Sequence, residues 1–156
     1  MKKIRKKVLY MGTTLIMLLY SQSAFAQERQ SPQKELEKAF FHGARTSDIE
    51  ILNEFLNSGV DVNYQGENGY TAMMIASYNG QKTAVEFLLS RKADLCIKDN
   101  RGNTALMGAI VAGEDETAEL LIAKEECDSL TRKRAIEFAS RFGRTKILNL
   151  LKKKHI

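Results

Sequence analysis

The chain has 156 residues, 24 Lys+Arg against 19 Asp+Glu, a single proline, two cysteines and no tryptophan. That length builds one hydrophobic core rather than several, and the composition excludes a collagen-like, low-complexity or disulfide-dense chain. The formal charge of +5 is carried by Lys2, Lys3, Arg5, Lys6 and Lys7, so it does not by itself point to nucleic acid.

Residues 1–26 have the parts of an export signal. A positive head precedes the mostly apolar run Val8–Tyr20, and Ala24-Phe25-Ala26 supplies a small-x-small cleavage site. A spanning helix needs about 20 apolar residues. This run is shorter, carries Gly12, Thr13 and Thr14, and is followed by no cysteine that could take a lipid. Cleavage is expected after Ala26, which places the remaining chain in a periplasm or outside a cell, without membrane association. That chain carries 19 basic and 19 acidic residues, so nucleic acid is not an expected partner. Its charge is uneven: residues 28–128 hold 10 basic and 18 acidic side chains, and residues 129–156 hold nine and one. Such runs read first as solvated helix faces.

Residues 27–34 form a short lead. Ser31-Pro32 at its end reads as a helix cap followed by proline at the first helical position, where the missing N–H costs nothing. Beyond it the chain repeats itself. At an offset of 33 residues, 68–100 reads "NGYTAMMIASYNGQKTAVEFLLSRKADLCIKDN" and 101–133 reads "RGNTALMGAIVAGEDETAELLIAKEECDSLTRK". Gly69/Gly102, Thr71/Thr104, Ala72/Ala105, Met74/Met107, Ala76/Ala109, Gly80/Gly113, Glu86/Glu119 and Leu88/Leu121 coincide. "TSDIEILNEFLNSGVDVN" (46–63) extends the frame backward, and "AIEFASRFGRTKILNLL" (135–151) extends it forward.

Each repeated position has a physical role. Thr71 and Thr104 are expected N-caps, whose hydroxyls can each satisfy a free N–H. Gly80 and Gly113 stand where a short first helix stops and the chain reverses through a left-handed residue. Ala84, Val85, Phe87, Leu88 and Leu89 give the stripe of an amphipathic second helix. "GVDVN" and "KADLC" then leave as extended chain, and Gly69 and Gly102 permit the tight turn before the next cap. The small Ala72, Ala76, Ala105 and Ala109 let neighbouring pairs approach closely. One pair cannot bury its apolar face alone, so the pairs must stack. Met73, Met74 and Met107 read as packing residues of the first helices.

"GYTAMMIA" and "GNTALMGA", with the later glycine, the Leu-Leu pair and the closing Ala-Asp, resemble the ankyrin repeat family over about residues 35–156. Alanine stands where the family has proline, and Met74 and Met107 stand where it has histidine. The resemblance implies an all-α solenoid of about four stacked helix-turn-helix units with short finger turns. The units fall at about 35–67, 68–100, 101–133 and 134–156. The last is three residues short and is expected to lack its finger and to serve as the C-terminal cap.

The resemblance further implies a protein partner, of unknown identity, held by the finger tips and the exposed side of the first helices. Position by position, that surface comprises Tyr64, Glu67, Asn68 and Tyr70 from one finger and Lys98, Asn100, Arg101 and Asn103 from the next. Tyr78 and Val111 come from the helices. Tyr and Arg are the residue types that most often anchor interfaces, although Tyr70 and Tyr78 would equally well pad the stack. Some small exported bacterial members of the family are associated with catalase, which implies a second reading as an accessory in peroxide or haem handling.

Enzyme signatures are missing from the sequence: it has no Gly-x-Ser-x-Gly, no phosphate loop, no His-Glu-x-x-His and no Cys-x-x-Cys. His42 and His155 read as surface or cap residues, and Glu114-Asp115-Glu116 as acids suited to a helix start. The expectation is a non-enzymatic module with no cofactor and no metal, monomeric by itself. Cys96 and Cys127 remain open. Equivalent positions of packed helices lie about 8–10 Å apart, whereas a disulfide needs Cα atoms within about 7 Å. The two cysteines are two positions out of step, a stagger that either closes the gap or widens it.

Overall fold

The computed structural model describes residues 32–124 and 126–153, so the export signal, Ser31 and His155 lie outside the described residues. Residues up to Leu36 belong to one unit, of which only the first turn of a helix is described; residues from Glu37 onward form a second. Among the described residues there are eight α-helices and no strand. They are α1 (Pro32–Thr46), α2 (Ile49–Asn57), α3 (Ala72–Tyr78), α4 (Lys82–Ser90), α5 (Ala105–Ala112), α6 (Asp115–Lys124), α7 (Ser129–Arg141) and α8 (Thr145–Lys153). They form four antiparallel pairs in chain order. Pro32 opens α1, so residues 32–34 of the expected lead are already helical.

The first helices of the central pairs are short and buried almost all round. Ala72, Met73, Met74, Ala76 and Ser77 are buried in α3, and Ala105, Leu106, Met107, Ala109 and Ile110 in α5. With alanine at the contacts, α3 packs on α5 and α5 on α7, while α4 packs on α6 and α6 on α8. The Thr71 hydroxyl accepts from Met74 N–H at 3.2 Å. Thr104 has the same extended backbone but makes no side-chain cap bond, so the expected pair of caps is realised only at α3.

Every reversal is built alike. A residue at positive φ follows each first helix: Ser47 (59°), Gly80 (66°), Gly113 (86°) and Gly143 (66°). The next N–H then bonds back into the helix, as Asp48 to Gly43 O (2.9 Å), Gln81 to Ala76 O (2.9 Å), Glu114 to Ala109 O (3.0 Å) and Arg144 to Ala139 O (2.8 Å). These bonds satisfy carbonyls that a helix end leaves orphaned. Ser47 shows that the conformation is imposed by the fold even without glycine.

Between pairs the chain runs out as fingers at 58–71 and 91–104, zipped to each other by hydrogen bonds about one repeat apart. Gln65 Nε2 donates to Lys98 O (3.0 Å), and Asp94 N–H donates to Asn63 Oδ1 (2.8 Å). Asn100 donates from Nδ2 to Glu67 O (3.0 Å) and from its backbone N–H to Asn68 O (3.2 Å). Arginines add to the zipper. Arg91 reaches Asn53 and Asn57, Arg134 donates to Arg101 O (2.8 Å), and Arg144 Nε donates to Ile110 O (3.2 Å).

The fourth pair departs from this plan. Only residues 125–128 separate α6 from α7, and Asp128 caps α7 by accepting from Thr131 N–H (2.8 Å) and Thr131 Oγ1 (2.6 Å). α7 therefore starts where the earlier repeats still form a finger, and the expected unit boundary at 133/134 falls inside this helix. The shortened connection also brings Cys127 beside Cys96. Their Cα atoms are 5.4 Å apart and their sulfurs are bonded, across a sequence separation of 31. The stagger closes the gap.

Candidate binding groove

The first helices and the finger bases together leave a groove of about 570 Å³. Its apolar lining comes from Tyr70, Met74, Ile75, Tyr78, Met107, Gly108, Val111 and Phe138, and its polar lining from Arg45, Asn79, Asp99, Arg101, Asn103 and Thr104. The volume lies within the range of ordinary ligand clefts. Tyr70 and Tyr78 are the exposed aromatics of the lining, 39 % and 56 % accessible. Phe138 is backed by the Arg134 guanidinium, 5.9 Å from the ring centre.

Asp99 holds the finger base together. Its Oδ1 accepts from the N–H groups of Arg101 (2.9 Å) and Asn103 (2.7 Å), and its Oδ2 accepts from Asn103 Nδ2 (3.1 Å). The carboxylate is thus spent on the turn and buried. By contrast, no hydrogen bond or ion pair of the Arg45 or Arg101 guanidinium occurs among the described residues. The groove is apolar in its middle and positive at its rim.

The structure divides the ten residues expected to contact a partner. Tyr70, Tyr78, Arg101, Asn103 and Val111 line this groove. Glu67, Asn68, Lys98 and Asn100 lie out on the fingers, where Lys98 pairs with Asp128 (3.3 Å) and Asn100 ties the two fingers together. Tyr64 packs against Phe41 and donates its hydroxyl to Glu37 Oε2 at 2.7 Å. The bond to Glu37, and then burial, raises the Tyr64 hydroxyl above its ordinary range. Asp128 is shifted the other way: bonds from the Thr131 hydroxyl and N–H, and then Lys98, hold its carboxyl well below the carboxylate range. Glu119 does the same service for Lys146, raising it.

Sequence reading missed Arg45, Ile75, Gly108 and Phe138. The repeat register contains the signal. His42, Ile75, Gly108 and Phe138 occupy one position of the four first helices, and the last three of them share the groove. His42 is exposed, and among the described residues no group of three or more His, Cys, Asp or Glu is placed to hold a metal.

The repeat geometry has a counterpart in known proteins. A family model described as ankyrin repeats in three copies matches residues 12–99 and 40–133. The chain belongs to the ankyrin repeat family. Curated relatives include serine/threonine-protein kinase 12 of Arabidopsis thaliana, 42% identical over 67 residues, covering 43% of this chain and 15% of the kinase. NAD-capped RNA hydrolase NUDT12 of Macaca fascicularis is 35% identical over 94 residues, covering 60% and 20%. The ankyrin repeat, SAM and basic leucine zipper domain-containing protein 1 of Mus musculus is 27% identical over 128 residues, covering 78% and 27%. The ankyrin chain thus spans only a minor part of each of these relatives. Among solved structures, a chain in the complex of the predatory endopeptidase Bd0816 from Bdellovibrio bacteriovorus with immunity protein Bd3460 is similar. Its TM-score is 0.63 and its identity 29%, over 76% of this chain and 64% of that one.

Proposed function

We propose that this chain is an exported, non-enzymatic ankyrin module, monomeric by itself, that binds a protein partner in the groove beside its fingers. The observation that carries the reading is the groove: two exposed tyrosines, and two arginines with no partner among the described residues, converge on an apolar floor. Buried aromatic and arginine anchors are what protein interfaces rely on. Ankyrin repeats generally mediate contacts between proteins, and the similar structure is of a complex between two proteins. That likeness supports a protein as the partner.

Periplasmic or secreted placement is supported by the export-signal pattern of residues 1–26 and by the Cys96–Cys127 bond, since disulfides persist in oxidising compartments. N-terminal sequencing of the exported protein should return Gln27, and Met1 would contradict it.

Affinity capture from the producing cell tests the binding reading. The wild-type chain should retain a discrete protein that the Tyr78→Ala, Arg101→Ala double variant loses at unchanged helicity. Equal capture by both chains would remove the groove from the function.

A further inference from the structure

We infer that the groove is a slot for one bulky apolar side chain, presented by an acidic segment of the partner, with Gly108 as its floor; this rests on the protein-binding reading above. Three observations converge on it.

The first is the register. The position that is Ile75 in the second pair and Phe138 in the fourth is glycine in the third, so the groove wall is missing one side chain between two large ones.

The second is that the fold does not demand this glycine. Gly108 lies inside α5, and a Cβ built there meets only Tyr78 Cβ at 3.8 Å and Met74 O at 3.9 Å, ordinary contacts. Gly69, by comparison, has φ +74° and Asn100 N at 2.8 Å from its would-be Cβ. A glycine in a helix interior lowers helix stability relative to alanine. At Gly108 that loss has no return in packing, and what it leaves is a stretch of groove lining without a side chain of its own. A partner's side chain entering there would touch Tyr78 and Met74 and lie between Ile75 and Phe138.

The third observation is charge. Arg91, Arg134 and Arg144 are engaged in holding the repeats together, whereas Arg45 and Arg101 line the groove with no partner among the described residues. Asp99, the one acid of the lining, turns both oxygens into the finger, which leaves two guanidinium groups against one carboxylate. The rim is locally positive on a body whose residues 28–128 carry more acid than base. Guanidinium groups so placed suit carboxylates on either side of the apolar anchor.

Selection from a displayed library of random dodecapeptides on the disulfide-bonded protein tests the slot. Enriched peptides should carry one large apolar residue flanked by Asp or Glu. Gly108→Leu fills the slot and should weaken a selected peptide by about tenfold to a hundredfold, the loss of one side chain's burial. Gly108→Ala, which keeps most of the space, should weaken it far less and shows that the helix tolerates a Cβ. Arg45→Ala and Arg101→Ala should each weaken it severalfold and flatten its salt dependence. Enrichment of peptides without acids, indifference to Gly108→Leu, or no enrichment at all would each overturn the slot. The slot can fail while the wider reading stands. A cellular partner lost on Tyr78→Ala but retained by Gly108→Leu leaves the protein-binding module standing and removes only the slot.

Discussion

Opening the Cys96–Cys127 bond should loosen one end of the stack rather than the whole of it. The bond closes a loop of 31 residues that contains all of α5 and α6. In the chain-entropy model a loop of that length is worth about 3.7 kcal/mol at 25 °C. Unfolding entropy of about 2.1 cal/mol/K per residue over the described stack converts this to a fall in Tm of roughly 15 °C if unfolding is two-state. A repeat stack is coupled only through neighbours, so the loss should concentrate where the bond holds α7–α8 to the finger at 91–104. Circular dichroism at rising temperature, with and without reductant and on the Cys96→Ser, Cys127→Ser chain, gives the size. Limited trypsin cleavage gives the place, since α7–α8 carries Arg132, Lys133, Arg134, Arg141, Arg144 and Lys146. Cleavage should rise there first. A fall in Tm of under about 3 °C, or cleavage spread evenly over the four pairs, would refute the reasoning behind both numbers.

Gly108→Ala should raise stability by about 0.5–1 kcal/mol, because a helix-interior glycine is replaced where a Cβ fits; a lower Tm would show that the glycine is structural after all. Gly69→Ala should do the opposite and destabilise by more than about 1 kcal/mol, since φ is +74° and the new Cβ would stand 2.8 Å from Asn100 N. An unchanged denaturation midpoint would contradict that. Asp128→Ala should matter only where the carboxylate is ionised. Its pKa is lower in the folded chain than in the unfolded one, so its stabilisation is full above about pH 4 and fades as pH falls through the folded value. The Tm difference between Asp128→Ala and wild type should therefore be constant near neutrality and shrink in strong acid; a difference that grows on acidification would invert the assignment.

The repeat made the fold readable because each recurring residue has one local job. Gly80 and Gly113 end a helix, Ala72 and Ala105 admit a neighbour, and Leu88 and Leu121 fill the core, whatever happens elsewhere. The reversal at Ser47 was hidden, since nothing local marks a serine for positive φ; the bond from Asp48 N–H to Gly43 O holds it there. The start of α7 was hidden for a related reason. The repeat frame extends the finger, whereas Asp128 caps a helix in its place. For the groove, exposure does not separate the candidates: Glu67, Asn68, Lys98 and Asn100 are exposed yet lie outside its lining. Tyr70, Tyr78 and Arg101 stand clear, while Tyr64, Asn100 and Asn103 are tied by partners roughly 4 to 33 residues away that no linear pattern specifies. Arg45 and Gly108 enter the groove only because the pairs stack, so their part could be read only by comparing equivalent positions across repeats.

Site-specific photocrosslinking in the producing cell tests the binding claim most directly. A benzophenone amino acid at Tyr78, inside the groove, is compared with the same group at Glu54, exposed on α2 and outside the groove lining. Irradiation should join a discrete protein to the chain from Tyr78 and none from Glu54. The same products from both positions, or none from Tyr78, would contradict a groove that holds a protein partner.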